Sequence, residues 1–164
     1  MILRLMQIGD MEIVGRLCND IHRAHPERPE VLRERLALYP SGCLVIETSA
    51  GQIVGYAISH PSEFGKPPAL DSFLGSLPAQ PSTYYIHDVA LLPETRGQGH
   101  AAAILDHLTS EARKAGLPNL SLVAIAGADR YWARQGFTPY STPELAEKLK
   151  SYGEDACFMQ RVVD

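Results

Sequence analysis

Apolar and polar positions alternate over residues 2–8, the spacing of a half-buried strand, and then the period changes. From Asp10, which stands where an N-cap belongs, Ile13, Val14, Leu17, Cys18 and Ile21 fall on one face of a helix. Pro26 and Pro29 interrupt that pattern, and Val31, Leu32, Leu36 and Tyr39 predict a second short helix ending before Pro40. Cys43–Glu47 and Ile53–Ser59 are apolar runs joined by the turn material Ser49-Ala50-Gly51-Gln52, which reads as an antiparallel hairpin. Residues 61–82 contain five prolines and two glycines and predict a long irregular connection, a kind of segment more often functional than idle. Ser82 to Leu92 reads as a strand. The helix after it carries Ala101, Ile104, Leu105, Leu108, Ala112 and Ala115 on one stripe and stops at Gly116 and Pro118. Leu120–Ile125 is a buried strand, and Ala128–Gln135 a short helix between Gly127 and Gly136. Phe137 begins another extended piece, Pro143–Lys150 a small helix, and Ala156–Val163 a closing strand. Without internal repeat or linker, this α/β order predicts one domain over 1–164.

Composition narrows the class. The 164 residues are enough to bury a core, and 45% hydrophobic with 21% charged residues is ordinary for a globular chain. A net charge of −4 argues against a nucleic-acid backbone as the main partner. No apolar run approaches the roughly 20 residues of a membrane span, and the first residues do not read as a signal peptide. Cys18, Cys43 and Cys157 are odd in number and scattered, which predicts reduced thiols and a cytoplasmic setting. His22, His25, His60, His100 and His107 show no metal-ligand spacing and read as surface or loop residues, so no metal is expected.

The candidate chemistry lies at residues 84–105, where a strand runs through a proline-bearing loop into Arg96-Gly97-Gln98-Gly99-His100-Ala101-Ala102 and a helix. The glycines permit a tight turn with main-chain N–H groups close to a ligand, and the helix start supplies orphan donors and partial positive charge. This is an anion site, suited to phosphates. Gly97 to Ala102 also fits the dinucleotide fingerprint G-x-G-x-x-A. That reading requires glycines at the strand end and a carboxylate closing the next strand, whereas Pro93 to Arg96 intervene and Leu120–Ile125 has no acidic residue. A P-loop is excluded because no Gly-Lys-Ser/Thr follows.

Arg96-x-x-Gly99-x-Ala101 resembles the Q/R-x-x-G-x-G/A motif of the GCN5-related N-acetyltransferase (GNAT) superfamily, and Ala128 to Phe137 resembles its second block, A-x-x-F-Y-x-x-x-G-F. The element order matches that fold along nearly the whole chain. The resemblance implies a GNAT-like mixed, mostly antiparallel sheet flanked by helices and acyl transfer from acetyl-CoA to a primary amine of a small molecule or peptide. It implies that the amides of Gly97, Gln98, Gly99, His100, Ala101 and Ala102 hold the CoA pyrophosphate, with Arg96 adding charge. Pantetheine would lie along Val89, Ala90 and Leu91 as an added strand. An N–H of that stretch would steady the thioester oxyanion.

Direct transfer needs a deprotonated amine, hence a base. Strand alternation sets Tyr85, His87 and Val89 on one face and Ile86, Asp88 and Ala90 on the other. Positions 85 and 87 are where the family places a base or relay, which points to His87, since imidazole titrates near neutrality. Asp88 reads as orienting a loop or helix end. The family's usual thiolate-protonating tyrosine is replaced by Trp132, whose indole is no useful acid; Tyr131, Tyr84, Tyr85 or solvent are the substitutes. That departure keeps open a second reading, an acyl-CoA-binding regulatory module with weakened catalysis. Acceptor choice is expected from residues 20–40 and 61–82, where Glu63 and Asp71 would attract an amine and Phe64, Phe73 and Leu74 cover its apolar part. The same 61–82 connection suits a lid or a homodimer contact equally.

Overall fold

A seven-stranded sheet frames the computed structural model, which describes residues 1–164. Its strands are β1 (Ile2–Leu5), β2 (Cys43–Glu47), β3 (Ile53–Ser62), β4 (Thr83–Leu91), β5 (Asn119–Ala124), β6 (Thr138–Pro139) and β7 (Cys157–Val162), in the order β1-β2-β3-β4-β5-β7-β6. Neighbours are antiparallel except β4 and β5. A parallel pair needs a crossover, and helix α3 (His100–Lys114) supplies it. Helices α1 (Met11–Ile21) and α2 (Pro29–Leu38) precede β2, while α4 (Asp129–Arg134) and α5 (Pro143–Leu149) lie between β5 and β7.

The sheet is covered on both faces. Val14, Leu17 and Leu32 from α1 and α2 pack with Val45, Tyr56 and Ile58. Ile104, Leu105 and Leu108 from α3 pack with Leu44, Ile86 and Leu122. Double coverage explains why β3 is buried at every position instead of alternating. Along α3 the sequence stripe holds at Ile104, Leu105, Leu108 and Ala112, but Ala115 is exposed and Ala101 half-buried.

Three local readings change. Asp10 begins α1 without capping it: its carboxylate accepts the Gln7 N–H at 2.7 Å and pairs with Arg4 at 2.8 and 3.0 Å. Pro29 is the first residue of α2, not a breaker, because its missing N–H costs nothing at that position. Strand β3 runs on through Pro61 to Ser62, opposite Tyr84 and Thr83.

Two irregularities in β4 open the sheet at its centre. Ile58 pairs with Asp88 and Ser59 with Ile86, so His87 is an extra residue in a β-bulge. On the opposite edge the β4–β5 ladder stops at Ile86 and Leu122, although β4 continues to Leu91 and β5 to Ala124. The strands therefore diverge, and a cleft forms between them.

Candidate active site

The divergence produces a cleft of about 510 Å³ lined by His22, Glu27, His87, Asp88, Val123 and Trp132, among others. A neighbouring cavity of about 590 Å³ is lined by Ala90, Leu91, Gly97, Gly99, His100, Ala101, Ala102 and Tyr131. Ile21, His22, Val89, Arg96, Ala128 and Trp132 line both and mark their junction.

The second cavity is built on the glycine turn. Gly97 and Gly99 have φ of +77° and +86°, and a Cβ at either would meet nothing within 4 Å. Glycine is needed there for its left-handed backbone, not for room. The first bond of the helix is Ala103 N–H to Gly99 C=O at 3.1 Å; no main-chain N–H from Gly97 to Ala102 donates to a protein acceptor. Six consecutive free donors at the positive end of a 15-residue helix fit a diphosphate. The side chains of Gln98 and His100 are tied along the loop, Gln98 Nε2 donating to Glu94 C=O at 3.2 Å and His100 Nε2 lying 3.3 Å from Gln98 Oε1. Arg96 Nε donates to Leu91 C=O at 3.2 Å, which places the guanidinium against the same cavity.

The β4 edge leads inward from this loop. Leu92 N–H bonds Val54 C=O at 2.9 Å, so by strand alternation the main-chain groups of Leu91 and Val89 turn from β3 toward the open side. Gly55, opposite Leu91, permits the close approach: a Cβ there would lie 2.5 Å from Leu91 Cδ2 and 2.9 Å from Ala90 O. The bulge also corrects the expected faces of β4. Ile86 and Val89 belong to the core beneath α3, whereas Ala90 packs with Tyr56 beneath α1. One extra residue shifts the alternation by one.

His87 meets Glu27 at 2.7 Å through Nε2, with side chains only 4% and 6% exposed. A carboxylate can only accept here, so Nε2 donates, and Nδ1 is bonded to no protein group. Glu27 Oε2 also accepts the Asp71 N–H at 3.3 Å. Beside this pair stands another: His22 Nε2 lies 2.8 Å from Asp88 Oδ1, and the Tyr56 hydroxyl donates to Asp88 Oδ2. The Asp88 bond raises the His22 pKa above the usual histidine value against the opposing cost of burial. Burial pushes the Tyr56 phenol well above 10, and it remains protonated.

Tyr85 is 3% exposed, lines neither cavity, and burial pushes its phenol well above 10. Tyr84 is likewise buried, its hydroxyl 2.8 Å from Ser59 Oγ. Tyr131 does reach the cavity of the glycine turn, edge-on to Trp132 at 5.1 Å between centroids, and partial burial raises its phenol. Trp132 is braced on Phe137 at 5.4 Å and occupies the junction.

Most side chains of the 61–82 connection are engaged outside the cleft. Asp71 pairs with Arg28 at 3.2 Å, Glu63 with Lys66 at 3.1 Å, and Phe64 meets Tyr140 and Phe158 edge-to-face at 4.9 and 5.3 Å between centroids. Phe73 lies under Arg28, and the Leu74 N–H bonds Glu34 at 2.6 Å. Of this connection only Leu70 lines the cleft. The acceptor-binding roles expected for Glu63, Phe64, Asp71, Phe73 and Leu74 are thereby corrected: their side chains or backbone are engaged with the protein itself. Sequence reasoning also missed His22 and Glu27. The available signal was the run His22-Arg23-Ala24-His25-Pro26-Glu27, charged and histidine-rich immediately beyond the last apolar position of α1.

No group of three or more His, Cys, Asp or Glu side chains is arranged to hold a metal, and no helix is long and apolar enough to cross a membrane. Residues 13–137 match the model of the acetyltransferase (GNAT) family. No curated protein matches the sequence. Among solved structures, Ard1 from Thermoplasma volcanium superposes with a TM-score of 0.74 at 18% identity, over 99% of this chain and 97% of that one. Naa20 from Chaetomium thermophilum, in complex with a bisubstrate analogue, gives 0.73 at 19% over 99% and 87%. The GNAT-like decarboxylase GphF, in complex with isobutyryl-CoA, gives 0.79 at 15% over the whole of both chains. At these identities the likeness establishes the fold alone.

Proposed function

The chain belongs to the GNAT acetyltransferase family, and on that premise we propose that it transfers an acetyl group from acetyl-CoA directly to a primary amine of a small molecule or peptide. Because a decarboxylase shares the fold, architecture alone does not select the reaction. The observation that carries the proposal is the adjacency of the two cavities, which share six lining residues. Free amides at the helix start adjoin a cleft holding a histidine whose Nδ1 has no protein partner.

In this reading the amides of Gly97 to Ala102 and the Arg96 charge hold the diphosphate of CoA. The open edge at Val89 and Leu91 orients the pantetheine arm, and a main-chain N–H there steadies the carbonyl oxygen as it gains charge. His87 Nδ1 accepts a proton from the incoming amine, directly or through water, while Glu27 fixes the tautomer and stabilises the resulting imidazolium. A covalent cysteine intermediate is disfavoured. Burial pushes the Cys18 thiol up to about 11 and the Cys43 thiol up to about 12, and Cys157 lines a separate groove with Tyr140 and Phe158.

The test is calorimetry with acetyl-CoA, then thiol-release assays across polyamines, amino acids, aminoglycosides, arylalkylamines and peptide N-termini. Binding with amine-dependent thiol release supports the enzyme. Binding without release under any amine supports the acyl-CoA-binding regulatory module instead, and no binding overturns both.

A further inference from the structure

Six residues line both cavities, and the thioester must be presented at this junction if acetyl transfer is to occur. Ile21, Val89 and Ala128 have no polar side-chain atom, Trp132 has an indole N–H that does not act as an acid, and Arg96 does not release its proton. His22 remains. We propose that His22 is the acid that protonates the departing thiolate of the coenzyme, with Asp88 as the residue that positions it. The inference rests on the acyl-transfer reading and supplies the group that Trp132 cannot.

His22 is the residue immediately after α1, and its ring is held from one side only. Nε2 donates to Asp88 Oδ1 at 2.8 Å, whereas Nδ1 bonds to no protein group. Asp88 is itself fixed by the Tyr56 hydroxyl. The charged and titratable groups around the ring are Asp88 on β4, Glu27 beyond α1, and Arg96 ahead of α3, with Tyr56 on β3 and Cys18 on α1 behind Asp88. The two carboxylates favour imidazolium; Arg96 and burial oppose it, and the balance raises the pKa. Imidazolium donates at both nitrogens, so Nδ1–H is the one available to the junction. In the proposed step His87 and His22 take opposite roles within one cleft, base and acid, each ring oriented by its own carboxylate.

The step balances. The amine nitrogen bonds the carbonyl carbon and the carbon–sulfur bond breaks with its electron pair moving to sulfur. The His22 Nδ1 proton passes to sulfur, while the amine proton passes to His87 Nδ1. His22 has then lost one proton and His87 gained one, and exchange with solvent restores both.

The same geometry makes a prediction that needs no acceptor. An imidazolium beside sulfur stabilises thiolate, so the thiol of bound CoA should ionise at lower pH than free CoA. The ultraviolet thiolate absorbance of the protein–CoA complex, titrated with pH at an occupancy fixed by calorimetry, reads this directly. At least a tenfold greater thiolate fraction than free CoA near neutral pH is expected for the unaltered protein. His22→Gln should abolish the excess, Asp88→Asn should reduce it, and Tyr131→Phe should leave it in place. The same thiol titration in His22→Gln as in the unaltered protein, at equal occupancy, overturns the assignment, as does loss of the excess in Tyr131→Phe alone. Failure of the unaltered protein to bind CoA would instead remove the acyl-transfer reading on which the assignment rests.

Discussion

At the residue scale the proposed chemistry depends on a few atoms of His87, Glu27 and the glycine turn. Removing the His87 imidazole should lower kcat by about 100-fold, the usual worth of a positioned base, with acetyl-CoA affinity retained. Glu27→Gln keeps the contact but removes the charge that favours imidazolium, so kcat should fall less than in His87→Ala and calorimetric affinity should again hold. Equal affinity loss in both variants would show the pair to be part of the coenzyme cradle instead. Gly99→Glu sets a left-handed backbone strain of about 1–2 kcal/mol beside a carboxylate at the anion site. Acetyl-CoA affinity should drop at least 100-fold in calorimetry while Gly99→Ala, carrying the strain without the charge, loses much less. The glycine turn was legible from the sequence because its dihedrals are encoded locally, whereas His87 was singled out by the family resemblance. His22 and Glu27 were not, since their roles come from partners 66 and 60 residues away.

At the element scale the decisive feature is β4, which is paired along β3 yet released from β5 after Ile86. The bulge at His87 turns the strand's outer half over, so that Val89 joins the α3 side and Ala90 the α1 side. No sequence period encodes this, because a one-residue insertion in a ladder is visible only against its partner strand. Gly55 is the matching concession on β3. Gly55→Ala would drive a methyl group into Leu91 and the Ala90 carbonyl, costing about 1–3 kcal/mol as overpacking does. Urea denaturation should report that loss, and acetyl-CoA should bind more weakly if, as proposed, the displaced segment is the edge it pairs with. Stability and affinity both unchanged would mean that β4 shifts freely. Helix positions fared better: α1, α2 and α3 were read from their apolar positions, with errors at ends such as Asp10, Pro29 and Ala115.

At the scale of the whole molecule, stability should follow pH through several groups, most of them outside the proposed reaction. Burial pushes His60 down to about 4, its Nδ1 donating to Pro61 C=O at 2.9 Å. Between pH 6.5 and 4 the unfolded chain binds a proton there that the folded chain does not, so stability falls as the pH falls, by up to about 1.4 kcal/mol per unit. His60→Asn should lose that slope in urea titrations. Asp10 is held below the usual carboxylate range by Arg4, so its contribution is present above about pH 4 and lost as acid protonates it. The Asp10→Asn variant should melt lower at pH 7 and converge with the unaltered protein in strong acid. His22 runs the other way: its raised pKa contributes below about 6.5 and fades as pH rises through the folded value.

Residues of the chain read in order were enough to specify the α/β succession, the hairpin, the helix stripes and the glycine turn, because hydrophobic period and glycine dihedrals are local physics. Which side chains share the cleft, which face each β4 residue takes, and that the 61–82 connection is bound to α2 and the C-terminal aromatics were decided by tertiary structure alone. Those outcomes depend on strand divergence and on contacts between distant segments, where the energy of a pairing exists only once both partners have been brought together.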